Sequence, residues 1–314
     1  MKTKYTLIRP ILLILTASLI YLQSAAQQEN TFNHFSFNTQ TINPAYAGSW
    51  DATGFLIMGQ NQWAGLEGAP KSYAFSMQTP FRQKGVGLGL NIISDKVGLE
   101  KRLHINADYS YRLKIKEEVF LRLGLKAGVT NYANDLSSYS LHPDDPFDPS
   151  FIGNIDVKFM PNFGVGAFLY SDRYYVGLSI PHMLQNEFKD NYNNFSTQAQ
   201  VRHFYLQGAY TFDLVPLVRF KPALLLKATA GAPIDLDLSG HFLLADKIWL
   251  GANYSHKNRL GASLQWIIDQ QLRLGYSAIF DNSHMKAFHS GTHEVTISYE
   301  LGNSKRTATL PRFF

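Results

Sequence analysis

The chain has 314 residues, 45% of them hydrophobic and 14% aromatic, with 23 glycines and no cysteine. The missing cysteine excludes disulfides, thiol chemistry and Cys-ligated zinc. There are 29 Lys and Arg against 24 Asp and Glu, and three of the basic residues sit in the first nine, so the rest is close to neutral and a nucleic-acid partner has no electrostatic support.

In chain order, the first element is an address. Lys2, Lys4 and Arg9 precede an apolar run over residues 11–22, and Ser24-Ala25-Ala26 places small residues before Gln27. This is the layout of a cleaved export signal, residues 1–26, with Gln27 as the expected mature N-terminus. The run is shorter than the roughly 20 apolar residues a spanning helix needs. Residues 27–50 do not alternate. Their Asn43-Pro44-Ala45-Tyr46-Ala47-Gly48-Ser49 cluster is turn-like, and the segment reads as a periplasmic lead-in or a short plug.

Residues 51–302 read as strand after strand. About fourteen segments are expected, near 51–62, 72–80, 86–96, 99–113, 119–133, 159–170, 174–181, 200–213, 218–231, 234–244, 248–255, 259–268, 271–280 and 293–301. The last is the clearest: Val295, Ile297, Tyr299 and Leu301 share one face, and Glu294, Thr296, Ser298 and Glu300 the other. Such alternation sets one face in an apolar medium and the other in a polar one. In 119–129, Arg122 and Lys126 recur on the polar phase, and Arg273 does the same in 271–280. A soluble sandwich would bury these charges at high cost; a barrel with a polar lumen would not. Connector lengths sort by parity. Residues 81–85, 114–118, 171–173, 214–217, 245–247 and 269–270 are short, and the long connectors 134–158, 182–199 and 281–292 fall on the opposite side. The expectation is an all-β, transmembrane, antiparallel up-and-down β-barrel with short periplasmic turns and longer outer loops. Residues 303–314 form a tail ending in Phe314, which resembles a barrel-assembly signal.

Reactive constellations are weak. Gly85-Val86-Gly87-Leu88-Gly89 has glycine at alternate positions and no helix pattern after it, which suits relief of crowding on a strand face better than a phosphate loop. Asp144, Asp145 and Asp148 lie among prolines; carboxylates bind calcium, but the spacing fits a solvated turn better. His284, His289 and His293 gather near one outer connector as candidate metal ligands, and Ser283 and Ser290 stand beside them without defining a triad. No catalytic residue, metal or cofactor is assigned, and no enzymatic activity is expected. Trp50, Trp63, Trp249 and Trp266 lie near strand ends, where amphipathic rings favour the membrane interface; interior packing stays open for Trp63.

Several stretches resemble the PorP/SprF-type outer-membrane proteins of the type IX secretion and gliding machinery. They are residues 43–49, Gln62-Trp63-Ala64-Gly65-Leu66-Glu67-Gly68-Ala69-Pro70-Lys71-Ser72, Gly87-Leu88-Gly89-Leu90, Pro161-Asn162-Phe163-Gly164-Val165-Gly166 and Tyr175-Val176-Gly177-Leu178-Ser179-Ile180-Pro181-His182. The resemblance implies a lipid-embedded component needed for export or surface attachment of particular sorting-domain substrates, some members linking the membrane to a periplasmic ring. Pro and Gly in these motifs fix backbone shape without offering reactive groups. Asn43, Pro44, Tyr46, Gly48, Trp63, Gly65, Gly68, Pro70, Pro181 and His182 are therefore the candidate partner-binding residues. The rival expectation is a pore for small or hydrophobic solutes, lined by Arg122, Lys126 and Arg273.

Overall fold

A computed structural model of the chain describes residues 32, 37–138, 154–189, 196–199, 201–256, 259–281 and 284–302. The expected export signal, the Asp144 to Asp148 cluster, Ser283 and the tail lie outside the described residues.

Alternation becomes strand wherever the sequence shows it. The first seven strands are β1 (Gly54–Asn61), β2 (Lys71–Phe81), β3 (Val86–Val97), β4 (Glu100–Lys116), β5 (Val119–Asn134), β6 (Ile155–Tyr170) and β7 (Tyr174–Ile180). β8 (His203–Tyr210) breaks at Thr211 and continues as Phe212–Val215. Then follow β9 (Val218–Thr229), β10 (Asp235–Leu244), β11 (Ile248–Ser255), β12 (Arg259–Ile267), β13 (Leu272–Asp281) and β14 (Thr292–Glu300). Each strand pairs antiparallel with its chain neighbours, β8 with β9 included, and β14 returns to β1 in register from Gly54↔Glu300 to Asn61↔His293. The result is a closed, fourteen-stranded up-and-down barrel. Closure leaves no edge whose N–H and C=O groups lipid would have to satisfy.

Burial runs opposite to that of a water-soluble protein. In β14, Glu294 is 0% exposed and the adjacent Val295 is 52% exposed. The same inversion recurs in β5, where Arg122 and Lys126 are buried and Leu123 and Leu125 are exposed. Apolar side chains face outward and polar ones inward, as hydrocarbon around a polar lumen requires.

The connectors keep the expected parity. Residues 82–85, 117–118, 171–173, 216–217, 245–247 and 268–271 close one end in short turns, and the longer connections from β5 to β6, β7 to β8 and β13 to β14 leave from the other.

Three features depart from the sequence reading. β6 begins at Ile155 rather than near 159. Its register with β5 shifts between Thr130 and Tyr132, and Phe159 adopts φ 60°; a bulge of this kind breaks the period-two phase and hides the strand's outer end from pattern reading. Behind it Tyr132, Leu136, Ile155 and Met160 make a small apolar cluster. Second, Glu187–Lys189 pairs with Ser196–Ala199 as a short ribbon inside the expected loop 182–199. Third, the tryptophans do not form an interfacial set. Trp266 faces out, but Trp249 is buried against Leu243 in the lumen, because its odd position falls on the inward phase of β11.

Candidate functional site

The lumen is occupied by the chain's own N-terminal segment. Thr39–Thr41 and Pro44–Tyr46 form two single-turn 3-10 helices. Asn43 caps the second by accepting the Ala45 amide at 3.0 Å, and Pro44 takes the first helical position, where its missing N–H costs nothing. Asn43, Ala45, Tyr46 and Ala47 are fully or almost fully buried.

The seat for this segment is cut by glycine. A Cβ on Gly124 would lie 2.2 Å from the Ala45 nitrogen, one on Gly87 2.2 Å from the Ala47 oxygen, and one on Gly166 2.1 Å from Asn43 Oδ1. Gly89 faces the Gln40 amide and Gly177 the Asn43 amide in the same way. These glycines sit on the inward phase of β3, β5, β6 and β7, so the wall approaches the segment at backbone distance. Relief of crowding is thus their role, as the alternate spacing suggested, and the crowding atoms belong mostly to residues 40–47, with Gln207 Nε2 nearest to Gly177.

Hydrogen bonds fix the segment to that wall. Arg122 donates to the carbonyls of Ala47 (Nη1, 3.2 Å) and Gly48 (Nη2, 2.5 Å). Ser110 Oγ donates to the Ala47 carbonyl at 2.6 Å, and Ser179 Oγ to that of Ile42 at 2.7 Å. Asn43 Nδ2 reaches the Ala167 carbonyl of β6 at 3.1 Å. Gln40 donates to the Met77 carbonyl at 3.0 Å and approaches Asp108 Oδ2 at 3.4 Å. At the opposite wall, the Lys221 ammonium lies 4.2 Å from the centroid of the Phe37 ring and 4.9 Å from that of Trp249.

Beneath the segment a charged network crosses β2 to β5. Lys126 Nζ and Asp108 Oδ1 are 3.0 Å apart with side chains 1% and 0% exposed. Asn91 donates to Asp108 Oδ2 at 2.5 Å and accepts from Ser76 Oγ at 2.8 Å. Asn91 and Gln40 add hydrogen bonds to the carboxylate of this buried pair, the support such a pair needs against its desolvation cost. Sequence reading found Arg122 and Lys126 but missed Asp108, because only the cross-strand register Asp108↔Lys126 reveals the partner.

The remaining candidate residues lie at the outer end. Connector 62–70 is latched on both sides. The Ala64 amide donates to the Gly291 carbonyl and the Ser290 amide to the Ala64 carbonyl, each at 2.8 Å, and the Gly98 amide donates to Gly68 at 2.8 Å. Trp63, at φ 50°, donates its indole N–H to Asp281 at 3.0 Å, and Pro70 accepts from the Gln62 amide at 2.9 Å. Gly65 has φ 98° and nothing within 4 Å of a Cβ, so its backbone conformation, not its surroundings, demands glycine. The loop is therefore a rigid exposed ledge over the β14–β1 seam. Pro181 and His182 follow β7; the His182 ring stands 5.7 Å from that of His104, whose Nδ1 pairs with Thr130 Oγ1 at 2.8 Å.

The ten candidate partner-binding residues thus fall into three places. Asn43, Pro44, Tyr46 and Gly48 line up in the lumen, Trp63, Gly65, Gly68 and Pro70 on the outer ledge, and Pro181 and His182 at the outer end of β7. The histidines considered as metal ligands separate as well: His289 approaches Asp281 at 3.4 Å, and His293 pairs with Tyr276 on the lipid-facing phase at 2.7 Å. Ser290 Oγ is engaged by the Ala64 carbonyl. The side chain of His284 lies outside the described residues.

At the short-turn end, Arg82 clamps Asp51 at 2.5 Å just before β1. Asp269 accepts the amides of Leu272 and Gln271, each at 2.7 Å; these bonds, Leu272's foremost, hold its carboxyl below the usual carboxylate range.

A closed barrel with a lipid-facing apolar wall and a filled polar lumen defines an outer-membrane β-barrel protein. The family model described as "Type IX secretion system membrane protein PorP/SprF" matches residues 24–299. The chain belongs to that family, and with it to the outer-membrane components of type IX secretion. No curated protein matches the sequence. Similar solved structures include the CymD monoaromatic hydrocarbon channel, 10% identical, covering 85% of this chain and 93% of its own, with a TM-score of 0.47. The Acinetobacter baumannii outer-membrane protein Omp33 is 9% identical over 78% of this chain and 97% of its own, at 0.45. The KdgM porin is 11% identical over 79% and 99%, at 0.38.

Proposed function

We propose that the protein is a docking scaffold of the type IX machine, delivered by a cleaved export signal, that serves particular sorting-domain substrates in secretion or gliding. The filled lumen carries this reading: residues 38–49 occupy the space a diffusing solute would need. What is left for partners is the outer ledge and the short-turn rim. The ledge suits the exported substrate, because latches to Gly98 and Gly291 pre-organise it, which lowers the ordering cost of binding. The rim, with Asp51–Arg82 and the polar turns, suits periplasmic subunits. Asn43, Pro44, Tyr46 and Gly48 act in this scheme by holding the scaffold's shape.

Deleting the gene and comparing surface and secreted proteins tests the proposal. Loss of one or a few sorting-domain proteins, with the others unaffected, is the expected result. An unchanged surface proteome overturns it. The ledge is tested separately with Gly65→Val/Gly68→Val. Both positions have positive φ, where a β-branched residue is strained, so the variant should insert normally and export poorly. Normal export removes the ledge from the scheme.

A further inference from the structure

The lumen segment has the properties of a bound ligand rather than of a structural strand. It contributes nothing to the barrel ladder, whose fourteen strands close without it. Arg122, Ser110 and Ser179 hold it by side-chain bonds to single carbonyls, which water can replace. It enters beside β1: residues 51–53 lead straight into Gly54, and a Cβ on Gly48 would sit 2.5 Å from the Gly87 Cα and 3.2 Å from the Thr79 oxygen, next to the short turn 82–85. The β2–β5 wall behind it is polar and charged, with Ser76, Asn91, Asp108, Ser110 and Lys126 all buried, while Ile42 and Tyr46 rest on small apolar clusters around Tyr205 and Phe168. Such a wall wets once the segment leaves.

From this geometry we propose that the β3–β7 face of the lumen is a peptide-binding site for an Asn-Pro-Ala-Tyr-Ala-Gly segment, and that its occupation by residues 38–49 closes a latent aqueous pathway through the barrel. The site's chemistry is specific. Gly166 and Gly177 leave room for one asparagine amide, which bridges to the Ala167 carbonyl. Gly124 admits the backbone after the proline, and Tyr46 fills an aromatic niche, edge-on to Phe168 with centroids 5.4 Å apart. Arg122 and Ser110 read the carbonyls at Ala47 and Gly48. The passage opened is as wide as the segment that filled it, enough for water, ions and small polar solutes. Barrels of about eight strands are filled by side chains and porins of about sixteen to eighteen hold open channels; fourteen strands fall between, where one extra segment decides the state.

The test uses the full chain, reconstituted in planar bilayers, with heat-modifiable gel mobility as the check on folding. Three proteins are compared: the native chain, a variant with residues 38–49 replaced by a Gly-Ser linker of equal length, and that variant carrying Gly124→Val as well. The native barrel is expected to be silent, and the linker variant to show steady ohmic conductance at least tenfold above it. A synthetic peptide of residues 38–50, added to the short-turn side, should close the linker variant and leave the Gly124→Val double variant open. The proposal is overturned if the folded linker variant is as silent as the native chain, if the native chain conducts equally, or if the peptide closes both variants alike. A second variant, Gly166→Val in the otherwise native chain, expels Asn43 without altering chain length and should conduct; silence from that folded barrel counts against the proposal too. The inference rests on the filled lumen but not on docking: an unchanged surface proteome after gene deletion leaves the conductance result intact, and a silent linker variant leaves the docking role intact.

Discussion

The two walls of the lumen solve the same packing problem in different ways. On the β3–β7 side, Gly87 and Gly124 stand against the backbone of Ala47 and Ala45, and Gly89 and Gly166 against the side chains of Gln40 and Asn43. On the β10–β14 side, inward glycines stand against the barrel's own side chains: a Cβ on Gly251 would meet the His241 ring at 2.2 Å, and one on Gly275 would meet Thr296 Oγ1 at 2.2 Å. There the wall carries its own filling, with Leu243 and Trp249 packed together and Ser263 Oγ paired with His241 Nε2 at 3.1 Å. Glycine in a barrel strand therefore signals a close neighbour but does not say which. One wall is filled mainly by its own side chains, with Phe37 packed against Leu243 and Trp249, and the other is filled mainly by residues 40–47 of the N-terminal segment.

The sharpest way to break this comparison is to strike the network under the segment. Asp108→Ala leaves the Lys126 ammonium buried beside an empty site, and removing one member of a buried pair costs about 3–5 kcal/mol. Thermal unfolding in detergent micelles should show the largest loss of stability of any single change considered for this wall. Adding Lys126→Met should recover much of that loss; no recovery would mean that the network, not the pair, carries the stability.

A smaller effect is expected from loosening the segment while keeping the wall. Arg122→Ala removes charge-assisted bonds to Ala47 and Gly48, each kind contributing about 1.5–3 kcal/mol, and Asn43→Ala removes a helix cap worth about 1 kcal/mol. Limited proteolysis should cut within residues 38–50 faster in both variants, and fastest in Arg122→Ala, with the barrel itself resistant. Protection equal to that of the native chain would mean that glycine complementarity alone retains the segment.

The least effect belongs to a site on neither wall. Asp269 has a depressed carboxyl pKa, caused by the amides of Leu272 and then Gln271. Its contribution is present above the unfolded-state value of about 3.9 and is lost as pH falls through the lower folded value. Asp269→Ala should therefore lower the melting temperature slightly at neutral pH and not at all in strong acid. A difference that persists in acid would show that the turn's shape, not its charge, matters.

What the sequence determined by itself was the medium on each face and the number of staves. Period-two alternation, as in Glu294 to Tyr299, is a local property, and so is the short turn between two alternating runs. The strand count, the lipid face and the sorting of loops follow from it. It placed Arg122 and Lys126 in the lumen for the same reason. It failed where phase slips, as at Phe159, and where parity was not weighed, as at Trp249. Only the tertiary structure decided the contents of the lumen. Asn43 meets Ala167 across 124 positions of chain, and Asp108 meets Lys126 only in the register β4 and β5 adopt. Parity tells a residue that it points inward; ring closure decides what it finds there.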